Sequence, residues 1–247
     1  MLLLLESSVT AASLTDMELV PEGELLPFFV KKDDQALGQN KTTFVEKFYL
    51  DTAPVTNRQF YEFISNNSEW NKQSIRKVFT DAHYLDHWNT GNGKPNSEDL
   101  DKPVVNVSWF GASAYCDAQD KRLPTTDEWE YALSDKDRNK EGNQKKIMDW
   151  YSVPNHELPI VRSEEPNEYG IFDLIAVIWE WTADFNSYMA PPDSRNTGDK
   201  SLFCGSGSLN AKNLSDYAAF MRYSYRESLQ GSFTGKNLGF RCAKDAK

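Results

Sequence analysis

Three strings, far apart in the chain, limit its fold more than any other feature. Arg122-Leu123-Pro124-Thr125 runs on to Glu128-Trp129-Glu130-Tyr131; Trp179-Glu180-Trp181-Thr182 follows; Asn237-Leu238-Gly239-Phe240-Arg241-Cys242 comes last. Between them lie short apolar runs, helix-start signals and turn-rich stretches, with no internal repeat and no low-complexity linker that would divide the chain. The seven Trp, eleven Tyr and fourteen Phe residues each bury a large area and suit a compact, loop-rich fold. At 247 residues one large domain or two small ones could bury a core. The expectation is an N-terminal segment, 1–16, followed by one irregular α+β domain, 17–247, with little regular secondary structure.

Local signals place the elements. Residues 14–50 read as strands, Met17-Glu18-Leu19-Val20 and Phe44 through Leu50, around a polar loop from Lys31 to Lys41. Thr56 with Gln59 forms a capping box, which predicts a helix burying Phe60, Phe63 and Ile64 on one face. The stretch from Asn89 to Lys102 is rich in Gly, Pro, Asn and Asp and reads as loop. A second helix starts after Ser108 and carries Ala112, Tyr115 and Cys116. A third starts after Thr125, whose hydroxyl pairs with Glu128 in another capping box. Residues 134–146 are charged and read as an exposed loop, and from Trp150 short strand-like runs alternate with turns.

A net charge of -10 argues against a nucleic-acid groove, which needs a basic stripe. No apolar run is long enough to cross a bilayer. Met1-Leu2-Leu3-Leu4-Leu5 through Ser13 resembles the end of a secretory signal, but it lacks a basic start and its apolar stretch is short. A cut-down signal or a misassigned start fits as well. The expectation is export, to a periplasm.

The three strings, preceded by Phe48-Tyr49-Leu50-Asp51, Val55-Thr56-Asn57 and Pro103 through Trp109 with Ala114-Tyr115-Cys116, resemble the formylglycine-generating, sulfatase-modifying factor family. That family is a variant of the C-type-lectin fold, and the similarity runs from about Met17 to Ala243 in unbroken order. In secreted members, thiols at the positions of Cys116 and Cys242 form a disulfide, so the resemblance implies that bridge and an oxidising compartment. Two buried free thiols are the alternative. Cys204 is then the odd thiol. It precedes Gly205-Ser206-Gly207-Ser208, similar to the family's turn at the edge of the substrate groove; it is either a reactive thiol near the cleft or a lone buried one.

The family's oxidases hold copper(I) between two thiolates, because a soft cation prefers sulfur. Counted back from Asn237, Arg226 falls on a family arginine, and the thiol positions read Ala218 and Tyr223. No cysteine occurs from 205 to 241. Neither alanine nor a phenol of pKa near 10 replaces a thiolate, so copper and the family's cysteine oxidation are not expected. The groove segment carries Tyr217, Phe220, Arg222, Tyr223, Tyr225 and Arg226, which with Ser206 and Ser208 could hold a peptide, ring or anion by stacking and bidentate hydrogen bonds. Some of these aromatics could instead be core.

The resemblance also implies a calcium loop, with side-chain oxygens from Asp173 and Glu180 and carbonyls from Ala176 and Ile178. The family's Gly-Asn is Ala176-Val177 here, and Glu180 could equally accept from backbone or an arginine. His83 and His87 would share a face if helical, as metal-binding pairs do; solvated or core-edge histidines are the ordinary alternative. Ergothioneine-type sulfoxide synthases share the fold but bind iron through a helical domain this chain lacks. Two functions follow. One is a non-oxidase, exported binding or accessory protein with a peptide or small ligand in its groove, as bacterial relatives serve nitrite-reductase operons, gliding machinery and surface recognition. The alternative is a periplasmic maturation enzyme of the pyoverdine type, with Cys204, Tyr223 and Arg222 as candidate catalytic residues.

Overall fold

The structure, a computed structural model, describes residues 16–25, 42–88, 93–134, 146, 149–150, 157–185 and 229–246. Its elements are few and short. Strands β1 (Met17–Val20), β2 (Gly23–Leu25), β3 (Thr43–Val45) and β4 (Phe48–Asp51) precede helices α1 (Asn57–Asn66), α2 (Trp109–Asp117) and α3 (Thr126–Ser134). Strands β5 (Trp179–Glu180), β6 (Leu238–Gly239) and β7 (Ala243–Asp245) follow. Together they make the α+β architecture that the sequence implies.

The helix starts follow from their caps. Thr56 N–H donates to Gln59 Oε1 and Gln59 N–H donates to Thr56 Oγ1, closing the box at α1. Ser108 accepts from Gly111 N–H at α2. At α3, Thr125 N–H donates to Glu128 Oε2 and Glu128 N–H to Thr125 Oγ1. Each reciprocal pair satisfies donors that a helix start leaves open.

The run from Phe44 to Leu50, read as one strand, is two. Alternation from Phe44 would put Val45 and Phe48 on opposite faces, because side chains repeat every second residue. Both are buried, so the chain must break between them, and it does at exposed Glu46-Lys47. β3 then pairs with β2, while β4 lies between β1 and β7 in a three-stranded antiparallel sheet. The loops expected at Lys31–Lys41 and across 134–146 fall almost wholly outside the described residues.

Two large clusters and a small one (Val105, Val177 and Ile178) fill the interior of the described residues. Phe60 packs among Phe63, Tyr115 and Phe240 with ring centroids 5.5, 5.9 and 6.0 Å apart, joining α1, α2 and the C-terminal segment. The sheet packs Val20, Phe48 and Leu50 against Trp129 and Ala132 of α3. A disulfide between Cys116 and Cys242 ties α2 to the residue just before β7 across 126 residues. This is the bridge the resemblance implied, and on a chain-entropy basis a loop of that length is worth roughly 4–5 kcal/mol.

Candidate functional site

β5 and β6 are only two residues long and pair in parallel, Trp179 with Leu238 and Glu180 with Gly239. Side chains hold them in place. Arg241 donates from Nε to Glu180 Oε2 and from Nη2 to Oε1, both at 2.8 Å, and neither side chain has any exposed surface. Trp129 Nε1 adds a third bond, to Glu180 Oε2 at 2.9 Å. The guanidinium also reaches the carbonyls of Asp51 and Asp173. Gly239 is required here, since a Cβ would lie 2.3 Å from the Val104 carbonyl oxygen.

Asp51 extends this network. Its Oδ1 accepts from Lys121 Nζ at 2.6 Å and its Oδ2 from Cys242 N–H at 2.9 Å. Burial pushes the Asp51 carboxyl above its ordinary range, and the Lys121 charge opposes that. One residue of the disulfide is thus anchored by its backbone as well as its sulfur.

The loop entering β5 is conformationally unusual. Asp173 (φ 57°) and Ala176 (φ 62°) are both left-handed, as is Arg162 (φ 61°), a region that costs non-glycine residues energy. Asp173 Oδ2 accepts from Arg162 N–H, while its Oδ1 is buried without a hydrogen-bond partner among the described residues. Burial raises the Asp173 carboxyl. Of the two carboxylates expected at calcium, Asp173 therefore has an oxygen to offer, and Glu180 is already neutralised by Arg241.

His83 and His87 do not converge. They lie in successive turns, not a helix. Exposed His83 contacts Asp86 through Nδ1 at 2.9 Å, and His87 Nε2 donates to Asn57 Oδ1 at 2.9 Å. Asn57 is a hub that the sequence reading missed. Its Oδ1 also accepts from Trp88 Nε1, and its Nδ2 donates to the Asp99 carbonyl. In the sequence it stands only as the residue after the Thr56 cap, and its partners lie 30 to 46 positions away. His87 Nδ1 is buried without a partner, and burial lowers the ring's pKa to about 4.

Cys204, Ser206, Ser208, Tyr217, Ala218, Phe220, Arg222, Tyr223, Tyr225 and Arg226 lie outside the described residues, as does His156. What is described is the frame on either side of them. Trp109, at the start of α2, donates from Nε1 to the Thr182 carbonyl at 2.9 Å and from its backbone N–H to the Gly231 carbonyl at 3.0 Å. Its ring lies 5.9 Å from that of Phe185, and Phe110 packs on Gly231. Asp184 accepts from Thr126 N–H and Oγ1, capping α3. Both flanks are therefore fastened to helix N-termini, chiefly through Trp109. The only hint in the sequence was a tryptophan directly after the Ser108 cap.

Because the folded pKa of His87 is below its unfolded value of about 6.5, the neutral ring stabilises the fold fully above pH 6.5. That contribution is lost as pH falls from about 6.5 towards 4, at most about 3 kcal/mol. Urea unfolding at pH 7 and pH 4.5 should show this loss, and His87→Gln should flatten the difference; an unchanged slope in the variant would place the titrating group elsewhere.

Comparison with known proteins is consistent with this frame. The family model for the sulfatase-modifying factor enzyme 1-like domain matches residues 5–246. Formylglycine-generating enzyme of Bos taurus is 27% identical, over 94% of this chain and 75% of its own. Inactive C-alpha-formylglycine-generating enzyme 2 of Mus musculus is 28% identical, over 85% of this chain and 79% of its own. The crystal structure of CarF superposes with a TM-score of 0.52 at 16% identity, covering 94% of this chain and 98% of that one, which shows a shared fold. With nearly its whole length matched, the chain belongs to the sulfatase-modifying factor (formylglycine-generating enzyme) family.

Proposed function

We propose that this chain is a non-oxidase member of its family, an exported binding or accessory protein that holds a peptide or small ligand in its C-terminal groove. The observation that carries the reading is a count. The chain has three cysteines, and two of them, Cys116 and Cys242, are joined in a disulfide. Cys204 alone remains as a thiol, and one thiol cannot supply the paired sulfur ligands that copper(I) takes in the family's oxidases. Kinship to a relative named as inactive supports the reading.

Ser206, Ser208, Tyr217, Arg222, Tyr223, Tyr225 and Arg226 would line the groove. Arginine forks suit a carboxylate or other planar anion, and tyrosine faces suit rings or peptide backbone. The disulfide supports an oxidising compartment, and no helix among the described residues is long and apolar enough to cross a membrane. Calcium belongs to the same proposal. The unpartnered Asp173 Oδ1 and the carbonyls of Ala176 and Ile178 would hold it, with Glu180 held in place by Arg241. The ion would answer the Asp173 Oδ1 that has no partner among the described residues and would fix the left-handed loop.

Incubating the protein with a cysteine-containing peptide, copper and oxygen should leave the peptide cysteine unchanged by mass spectrometry; conversion to formylglycine would overturn the non-oxidase reading. Calcium should raise the melting temperature over that in EDTA by several degrees, since ligand at 100 times its Kd adds about 2.7 kcal/mol and each kcal/mol moves a chain of this size roughly 2–4 °C. Asp173→Ala should abolish the rise. Identical melting with calcium and EDTA would remove the ion from the account.

A further inference from the structure

Many of the described cations in this acidic chain are answered by carboxylates. Arg58 meets Asp101, Lys102 meets Asp99, Lys121 meets Asp51, Arg122 meets Glu128, and Arg162 meets Asp16. The turn between Trp70 and Thr80 is different. It carries Lys72, Arg76 and Lys77 and no acid between Glu69 and Asp81. Lys72 pairs with Asp86, but Arg76 and Lys77 are exposed and make no ion pair with any described residue. Directly after them, Val78 is 63% exposed, the highest value among the large hydrophobic residues described.

The surroundings make this a formed surface. Phe79 lies between Trp70 and Phe110, with ring centroids 5.8 and 5.3 Å away. The Arg76 guanidinium sits 5.4 Å above the Phe79 ring, which restrains a charged side chain in place. Phe79 N–H donates to the Arg76 carbonyl and Asp81 N–H to that of Ser232. Asp81 also accepts from Thr234 through both its backbone N–H and its hydroxyl. These bonds join the segment that carries the exposed Phe233 to Asp81, just after the turn.

A lone exposed apolar residue is ordinary. An exposed Val78 directly before Phe79 of a packed aromatic row, and directly after two cations with no carboxylate partner among the described residues, is a different matter in a chain of net charge -10. We propose that Arg76, Lys77, Val78, Phe79, Phe110 and Phe233 form a docking surface for an acidic peptide segment of a partner protein, one carrying an apolar anchor between carboxylates. The anchor would cover Val78 and Phe233, and the carboxylates would meet Arg76 and Lys77. Opposite charge would speed and orient the encounter, and aromatic and arginine side chains are those enriched where partners bind. A second copy of this chain fits less well, because a two-fold contact through this face would set Arg76 and Lys77 against the same cations of the other copy. The surface uses none of the residues between 204 and 226 that the proposed groove would use, so its test does not depend on what a groove holds.

The test is fluorescence anisotropy with a fluorescein-labelled peptide, Asp-Glu-Leu-Phe-Glu-Asp, beside a version with lysine at every acidic position. The acidic peptide should bind, more weakly as salt rises, and the lysine version should not. Arg76→Glu with Lys77→Glu should weaken binding about tenfold, and Val78→Asp about as much, with melting temperatures unchanged because these side chains are exposed. No binding of the acidic peptide, equal binding of both peptides, or undiminished binding by the charge-reversed protein would overturn the proposal. Self-association of the protein that Val78→Asp abolishes would overturn it as well, assigning the face to a second copy.

Discussion

The ion pair between Glu180 and Arg241 is the point on which the other elements bear. Both charges are withdrawn completely from water, which costs several kcal/mol per ion unless every donor and acceptor is answered. Here they are answered from all sides: by each other twice, by the Trp129 indole, and by the carbonyls of Asp51 and Asp173. Those partners belong to β5, the segment between β6 and β7, α3, β4 and the left-handed loop. Loss of either charge would strand the other in the interior, a penalty of about 3–5 kcal/mol. Two strands of two residues have little intrinsic stability, so their register rests on this pair.

The neighbouring constraints follow from where Arg241 sits. Gly239 precedes it because the Val104 backbone leaves no space for a side chain. Cys242 follows it, joined by sulfur to α2 and by its N–H to Asp51. The covalent link and the ion pair thus act on consecutive residues, so the last strand is fixed against both halves of the core. From this fixed point the frame extends through Trp181, which donates to the Val107 carbonyl, to Trp109 and to the residues on either side of the segment 186–228.

What could be read from the sequence was local chemistry. The Thr56–Gln59 and Thr125–Glu128 boxes and the Ser108 cap declared themselves because both partners lie within one helical turn. Phe44 to Leu50 misled because its apolar pattern looks continuous, and only the burial of both Val45 and Phe48 reveals the break. His83 and His87 had metal-like spacing, yet turn geometry sent them to Asp86 and Asn57. Glu180 was legible as an important carboxylate, but whether it faced an ion or an arginine depended on a residue 61 positions away. Asn57 and Trp109 act through carbonyls of distant segments, for which a sequence carries no local signal.

The functional reading depends on how this scaffold distributes its sulfur. Two of three cysteines serve the frame, and the family's oxidative chemistry needs a pair in the groove. Counting thiols with Ellman's reagent in protein unfolded without reductant tests this most directly. One reactive thiol before reduction and three after it are the predicted result. Three thiols before reduction would mean that Cys116 and Cys242 are free, and would contradict the account.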